Sequence, residues 1–146
     1  MNLEVPSKLL PSFENLKTNK YDTIVWEGGR GGAKSEALVA IGLLESFIDD
    51  GVILCCREIQ KSINDSLYSA IVSGIHKNKL TNHFKILQNE ITNLVTGAKF
   101  IFAGLKSNIT NIKSINKLRV VLTDEAENIT QNSWDYLRPT PRYGMV

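Results

Sequence analysis

Two runs of residues in this 146-residue chain could do chemistry together. The first is Gly28-Gly29-Arg30-Gly31-Gly32-Ala33-Lys34-Ser35. Glycines let the backbone turn its N–H groups inward and form a concave anion site. A helix opening at Lys34 would add the partial positive charge of its N-terminus. Lys34 would then reach the β- and γ-phosphates of a nucleoside triphosphate, and the Ser35 hydroxyl would ligate Mg2+. The alternative is a flexible glycine-rich turn followed by a chance Lys-Ser. Ala33 stands where glycine is common. At negative φ it costs little; at positive φ it costs about 1–2 kcal/mol.

The second run is Val120-Val121-Leu122-Thr123-Asp124-Glu125, an apolar strand ending in two carboxylates. Nucleotide sites in parallel α/β sheets lie at the carboxyl ends of the strands. Asp124 would hold Mg2+, directly or through water. Glu125 would orient the attacking water and take its proton. Neighbours on a strand point to opposite faces, so the two side chains are expected to diverge. Glu127 reads as a solvated residue at a helix start rather than a third acid. Arg30 could stabilise charge on a γ-phosphoryl group or simply pair with a surface carboxylate, and the residues alone leave both open.

The elements that must position these runs follow from periodicity. Residues 21–26, aromatic and β-branched, read as a strand entering the glycine loop. Residues 34–49 read as a helix with Ala37, Leu38, Ile41, Leu44, Glu45 and Ile48 on one stripe. Residues 52–56 are a short apolar run, the pattern of a strand buried on both faces. Residues 58–76 read as a helix through Ile59, Ile63, Leu67, Ile71 and Ile75. Residues 84–87 and 90–95 flank Gln88-Asn89 as a hairpin. Residues 98–104 and 118–122 are further strands, 109–115 a short helix or turn, and 131–137 a last helix before Pro139 and Pro141. Strands alternate with helices, so the class is α/β with a largely parallel sheet. Residues 1–20 form an arm, in which Leu9, Leu10, Phe13 and Leu16 could make one amphipathic turn.

Composition narrows the rest. With 42% hydrophobic and 22% charged residues the chain falls among globular proteins rather than disordered ones. Two cysteines exclude a disulfide scaffold, and adjacent Cys55 and Cys56 read as buried apolar thiols on opposite strand faces. No apolar run approaches the ~20 residues of a membrane span. No signal peptide opens the chain, which gives a cytoplasmic reading. A net charge of +2 does not by itself predict nucleic-acid binding. Lys77, Lys79, Lys85, Lys106, Lys113, Lys117 and Arg119 read as scattered solvated cations. His76 and His83 lack partners at metal-ligand spacing.

Residues 28–35 resemble the P-loop of the large terminase subunits of tailed bacteriophages, ATP-driven motors that package DNA into procapsids. Cys56-Arg57-Glu58-Ile59-Gln60-Lys61-Ser62-Ile63 is similar to the family's stretch after the second strand. So are Asn111-Ile112-Lys113-Ser114-Ile115, Thr123-Asp124-Glu125-Ala126-Glu127, and the tail from Ser133-Trp134-Asp135 to Arg138-Pro139-Thr140. The likeness runs from Tyr21 onward, with its motifs in the family's order.

The resemblance implies a P-loop NTPase fold of the RecA/ASCE kind: a mostly parallel sheet, flanking helices, an inserted β-hairpin and an incomplete C-terminus. It implies ATP and Mg2+ as ligands. Gly28, Gly29, Arg30, Gly31, Gly32, Ala33, Lys34 and Ser35 would surround the phosphates, and Ser35 and Asp124 the metal. Glu125, Arg30 and Lys34 would act in hydrolysis, with Arg30 sensing or stabilising the γ-phosphate. Arg57 stays unassigned, a salt bridge or helix-cap neighbour. The implied partners are double-stranded DNA, a portal protein, a small terminase subunit and further copies in a ring, in the cytoplasm of a bacterial host. The family also carries a coupling motif on the strand after the acid pair and a C-terminal nuclease of the RNase H-like class. The chain ends at Val146 before either, so residues 21–146 read as a partial ATPase domain behind the 1–20 arm, and no nuclease activity is expected. Another P-loop motor such as a helicase relative, and a non-catalytic remnant that binds nucleotide, are the alternatives. A strand from later sequence would separate residues 21–26 from residues 118–122, so an empty slot, or the arm in its place, is expected there.

Overall fold

The computed structural model describes residues 7–18, 23–29, 33–59 and 64–138. Its centre is a five-stranded sheet in the order β2-β3-β4-β1-β5. Strand β1, Val52–Arg57, is the apolar run VILCCR, and its four middle residues are buried. It pairs in parallel with β4, Lys99–Gly104, and with β5, Leu118–Thr123. The hairpin of β2, Phe84–Leu87, and β3, Glu90–Asn93, turns at Gln88-Asn89 as the sequence suggests. It extends the sheet through an antiparallel β3–β4 pairing that sets Ile91 opposite Phe100. The sheet is therefore mixed rather than mostly parallel. A two-residue turn can only return the chain antiparallel, so the hairpin contributes antiparallel pairs where crossover connections contribute parallel ones.

Helix α1, Leu10–Thr18, lies in the arm. Helix α2, Lys34–Ser46, buries Ala37 through Leu43 without a break, a wider face than a single stripe. Gly42 is the point where α2 meets the sheet: a Cβ there would come within 2.9 Å of Leu122 Cδ1 and 3.0 Å of Phe100 Cε1. The C-terminal end of α2 is fixed by the loop after β3. Buried Asn93 donates to the Ser46 carbonyl across 3.1 Å, and Thr96 Oγ1 donates to the same oxygen across 2.6 Å. Helix α3, Ser69–Lys77, packs against α2. Helix α4, Leu105–Ile112, packs against α5, Gln131–Leu137.

Four expectations change. Residues 21–26 do not form a strand where they can be followed: Thr23 makes an isolated bridge, and 24–29 belong to no strand or helix. Tyr21 and Asp22 lie outside the described residues. A strand exists only through a ladder partner, and among the described strands β5 pairs with β1 alone. The described part of the arm, residues 7–18, holds no strand; its helix α1 meets the segment through Trp26 Nε1, which donates to Ser12 Oγ across 2.8 Å. The helix expected over 58–76 does not begin at Glu58. Glu58 and Ile59 form a bend, a π-helical turn covers Asn64–Tyr68, and α3 follows. Leu67, Ile71 and Ile75 are buried as the stripe requires, whereas Ile59 is 61% exposed; Ile63 lies outside the described residues. The short helix expected over 109–115 begins earlier, at Leu105. Arg119 is not a solvated cation: it is 12% exposed and bridges Glu45 and Asp49. Among the described residues no helix is long and apolar enough to cross a membrane.

Candidate functional site

Helix α2 starts abruptly. Its N-cap is Ala33, at φ 56° and ψ 15°, with no side-chain cap. The first intrahelical bond runs from Ala37 N to Ala33 O at 3.0 Å. The N–H groups of the turn before it have no acceptor within the helix. Lys34, the first helical residue, folds its ammonium back onto the loop, bonding the Gly28 carbonyl and, at 3.0 Å, the Gly29 carbonyl. Space around Gly29 is open, with nothing within 4 Å of a built Cβ. Ser35 is exposed. Arg30, Gly31 and Gly32 lie outside the described residues.

A cleft separates this helix start from the acid pair. Thr23, Ile24, Val25 and Trp26 form one wall, Lys34 and Leu38 another, and Thr123 to Glu127 with Trp134 close it. Lys34, Asp124 and Glu125, far apart in the chain, thus face one space. Ser35 does not line it.

The acid pair is built by the parallel neighbours β1 and β5. Asp124 N donates to Cys56 O across 3.2 Å, which carries the pairing just past the end of β5. Arg57, the last residue of β1, then lies beside the carboxylates. Its Nε donates to Asp124 Oδ2 at 3.2 Å and its Nη2 bonds the same oxygen. That Nη2 is also 3.3 Å from Glu125 Oε1. Asp124 and Glu125 therefore converge instead of diverging. The cause is the backbone of Glu125, at φ 54° and ψ 48°. A left-handed residue breaks the alternation of a strand, and it turns Glu125 toward the guanidinium that already holds Asp124. Asp124 Oδ1 accepts from Glu125 N at 3.1 Å, and Glu125 Oε2 lies 3.5 Å from Asn128 Nδ2. Beside the pair, Thr123 is buried, with its hydroxyl next to the Cys56 thiol. Glu127 is exposed in the following 3-10 turn.

Glu58, next along from Arg57, anchors the far wall. Its carboxylate accepts from Thr130 Oγ1 and Ser133 Oγ, each at 3.2 Å, at the start of α5. Thr130 Oγ1 in turn accepts from Ser133 N at 3.3 Å as the N-cap of that helix. This seats Trp134 at the cleft. Cys55 and Cys56 behind the site are fully buried, and burial pushes the Cys56 thiol up to about 12 and the Cys55 thiol well above its ordinary value. Among the described residues no group of three or more His, Cys, Asp or Glu side chains could hold a metal ion by itself.

The sequence pointed to Lys34, Asp124 and Glu125. It left Arg57 and Glu58 without roles, although one signal was present: a charged Arg-Glu pair directly after a strand buried on both faces. Residues 20–144 match the profile of the phage terminase large subunit. The chain belongs to that family. A search among curated proteins found no match. Membership supports a part in phage DNA packaging for this terminase chain. Its shared cleft brings the lysine of the glycine loop together with an acid pair, and the terminase sequence between them supplies the arginine that binds the pair together.

Proposed function

We propose that the chain is the ATP-binding and ATP-hydrolysing part of a terminase motor that packages double-stranded DNA. The observation that carries this reading is that Lys34, Asp124 and Glu125 face one cleft. The donor set suits a magnesium nucleotide: one ammonium beside the start of helix α2 on one side, two carboxylates on the other.

In this reading the Lys34 ammonium leaves the Gly28 and Gly29 carbonyls for the β- and γ-phosphates. The first-turn amides of α2 and the N–H groups of Gly28, Gly29, Gly31 and Gly32 would donate to the phosphate oxygens, and Arg30 would serve the γ-phosphate. Asp124 and Ser35 are the residues that would hold Mg2+. The bound cation would neutralise phosphate charge and help fix the phosphates for in-line attack. Glu125 orients a water and accepts its proton. Trp26 and Trp134 line the same cleft. A RecA/ASCE-type assignment accords with the acid strand β5 running parallel to β1 while the glycine-loop segment lies across the cleft from its end. The arm over 1–20 and the ATPase unit over 21–146, together with the portal protein, small subunit and ring of copies, are proposed on family resemblance.

Calorimetry with MgADP tests the reading. Wild-type chain should bind, and Lys34→Ala should lose most of that binding; equal affinities would overturn it. Glu125→Gln should keep binding and lose hydrolysis. Binding by the wild type with no turnover would favour the remnant that only holds nucleotide.

A further inference from the structure

Among the described residues, Arg57 is the cation that touches both candidate acids, and its side chain is 11% exposed. We infer that Arg57 is the positioning residue of the acid pair: it holds Asp124 and Glu125 on one guanidinium, and yields Asp124 when a divalent cation enters with a nucleotide. The inference rests on the reading above, in which Asp124 takes the metal.

The hydrogen bonds set up the competition. Asp124 Oδ2 receives both Nε and Nη2 of Arg57, and Oδ1 receives the Glu125 N–H. Both carboxylate oxygens are thus engaged before any cation arrives. A guanidinium does not deprotonate in proteins, so it can leave the carboxylate only by moving or by being outcompeted. A divalent cation supplies that competition with twice the charge. Glu125 is held differently, by Nη2 at 3.3 Å and with its side chain 49% exposed. Arg57 can therefore keep Glu125 while releasing Asp124, and the left-handed Glu125 backbone keeps that carboxylate within its reach. Arg57 stands at the end of β1, and Glu58 beside it holds the start of α5, so the guanidinium is anchored from the strand that braces the far wall of the cleft.

The role predicts two changes of opposite direction. Replacing Arg57 by Gln removes the competitor and leaves two neighbouring carboxylates uncompensated, which attracts a cation. The Mg2+ concentration giving half-maximal ADP binding should fall at least about fivefold, because the Arg57–Asp124 pair that the cation must displace is only 11% and 22% exposed. Turnover at saturating Mg2+ should fall as well, because Glu125 loses its anchor. A scaffold defect would raise the Mg2+ requirement instead. The experiment is calorimetric ADP titration of the full chain at stepped Mg2+ for wild type, Arg57→Gln and Arg57→Lys, with thermal unfolding of each. Arg57→Lys keeps the charge but not the two-pronged contact, should lie between the other two, and carries the test if Arg57→Gln does not fold. An unchanged or increased Mg2+ requirement in the folded variants would overturn the inference while leaving the nucleotide site intact. Wild-type ADP binding that does not depend on Lys34 would overturn the site reading, and this inference with it.

Discussion

Ala33 and Glu125 share a backbone conformation that side chains disfavour, at φ 56° and φ 54°, and one opens helix α2 while the other follows β5. Left-handed backbone costs a residue with a Cβ roughly 1–2 kcal/mol, and such strain gathers at sites where geometry matters more than stability. Ala33 makes no side-chain cap, so glycine there would lose little. Ala33→Gly should raise the stability of the chain by about 0.5–1 kcal/mol, the relief of strain less the extra entropy of an unfolded glycine. Urea unfolding measures it, and a lower midpoint in the variant would refute the strain.

Both tryptophans of the chain, Trp26 and Trp134, line the cleft. Intrinsic fluorescence therefore reports on this one place. Saturating MgADP should change the emission of the wild type, and Lys34→Ala should show no change at the same concentration. A nucleotide-induced signal that survives in Lys34→Ala would put the ligand elsewhere.

Arg119 reaches from β5 to the end of α2, with Nε 2.6 Å from Glu45 Oε2 and Nη1 2.6 Å from Asp49 Oδ2. Its own side chain and that of Glu45 are only 12% and 14% exposed. Removing the cation strands a half-buried carboxylate. Arg119→Met should cost about 2–4 kcal/mol in urea unfolding, and Arg119→Lys should recover part of it. A loss within experimental scatter would mean that the pair is screened like an ordinary surface bridge.

Helices α2 and α3 touch at Gly74, where a Cβ would lie 2.4 Å from Val39 Cγ1. Valine is stiff at χ1 and cannot swing away freely. Gly74→Ala should therefore destabilise the chain by about 1–2 kcal/mol despite alanine's better helix propensity. Joint replacement with Val39→Ala should return some of the loss, as expected for two groups competing for one volume.

The buried thiols give a pH dependence of defined sign. Burial raises Cys55 and Cys56 above their ordinary value of 9.0, Cys56 to about 12. Well below pH 9 the thiols stay protonated whether the chain is folded or not, and their contribution is constant. Between pH 9 and about pH 12 the unfolded chain releases protons that the folded chain retains, so stability falls as pH rises. Unfolding midpoints in this window should drop for the wild type and drop less for Cys55→Ala/Cys56→Ala. Neither thiol should react with Ellman's reagent at pH 8 until the protein is unfolded.

The amino-acid order alone was enough for whatever depends on near neighbours. The apolar run at β1, the hairpin around Gln88-Asn89, and the helix Gln131–Leu137 behind its Thr130 cap are each written in a few consecutive residues, and each appears. So are the glycine loop's lysine and the acid pair, which line one cleft in the fold. Tertiary structure decided the rest. Whether residues 21–26 make a strand depends on a ladder partner, which local pattern does not supply. The convergence of Asp124 and Glu125 depends on the sign of one φ angle and on a guanidinium 67 positions away, held there because β1 and β5 run side by side. The place of Glu58 depends on the start of α5, whose Thr130 it accepts from although that helix begins far along the chain. Periodicity encodes which face of an element is apolar; it carries nothing about which distant charge will meet another, because that is set only when the sheet fixes the order of its strands.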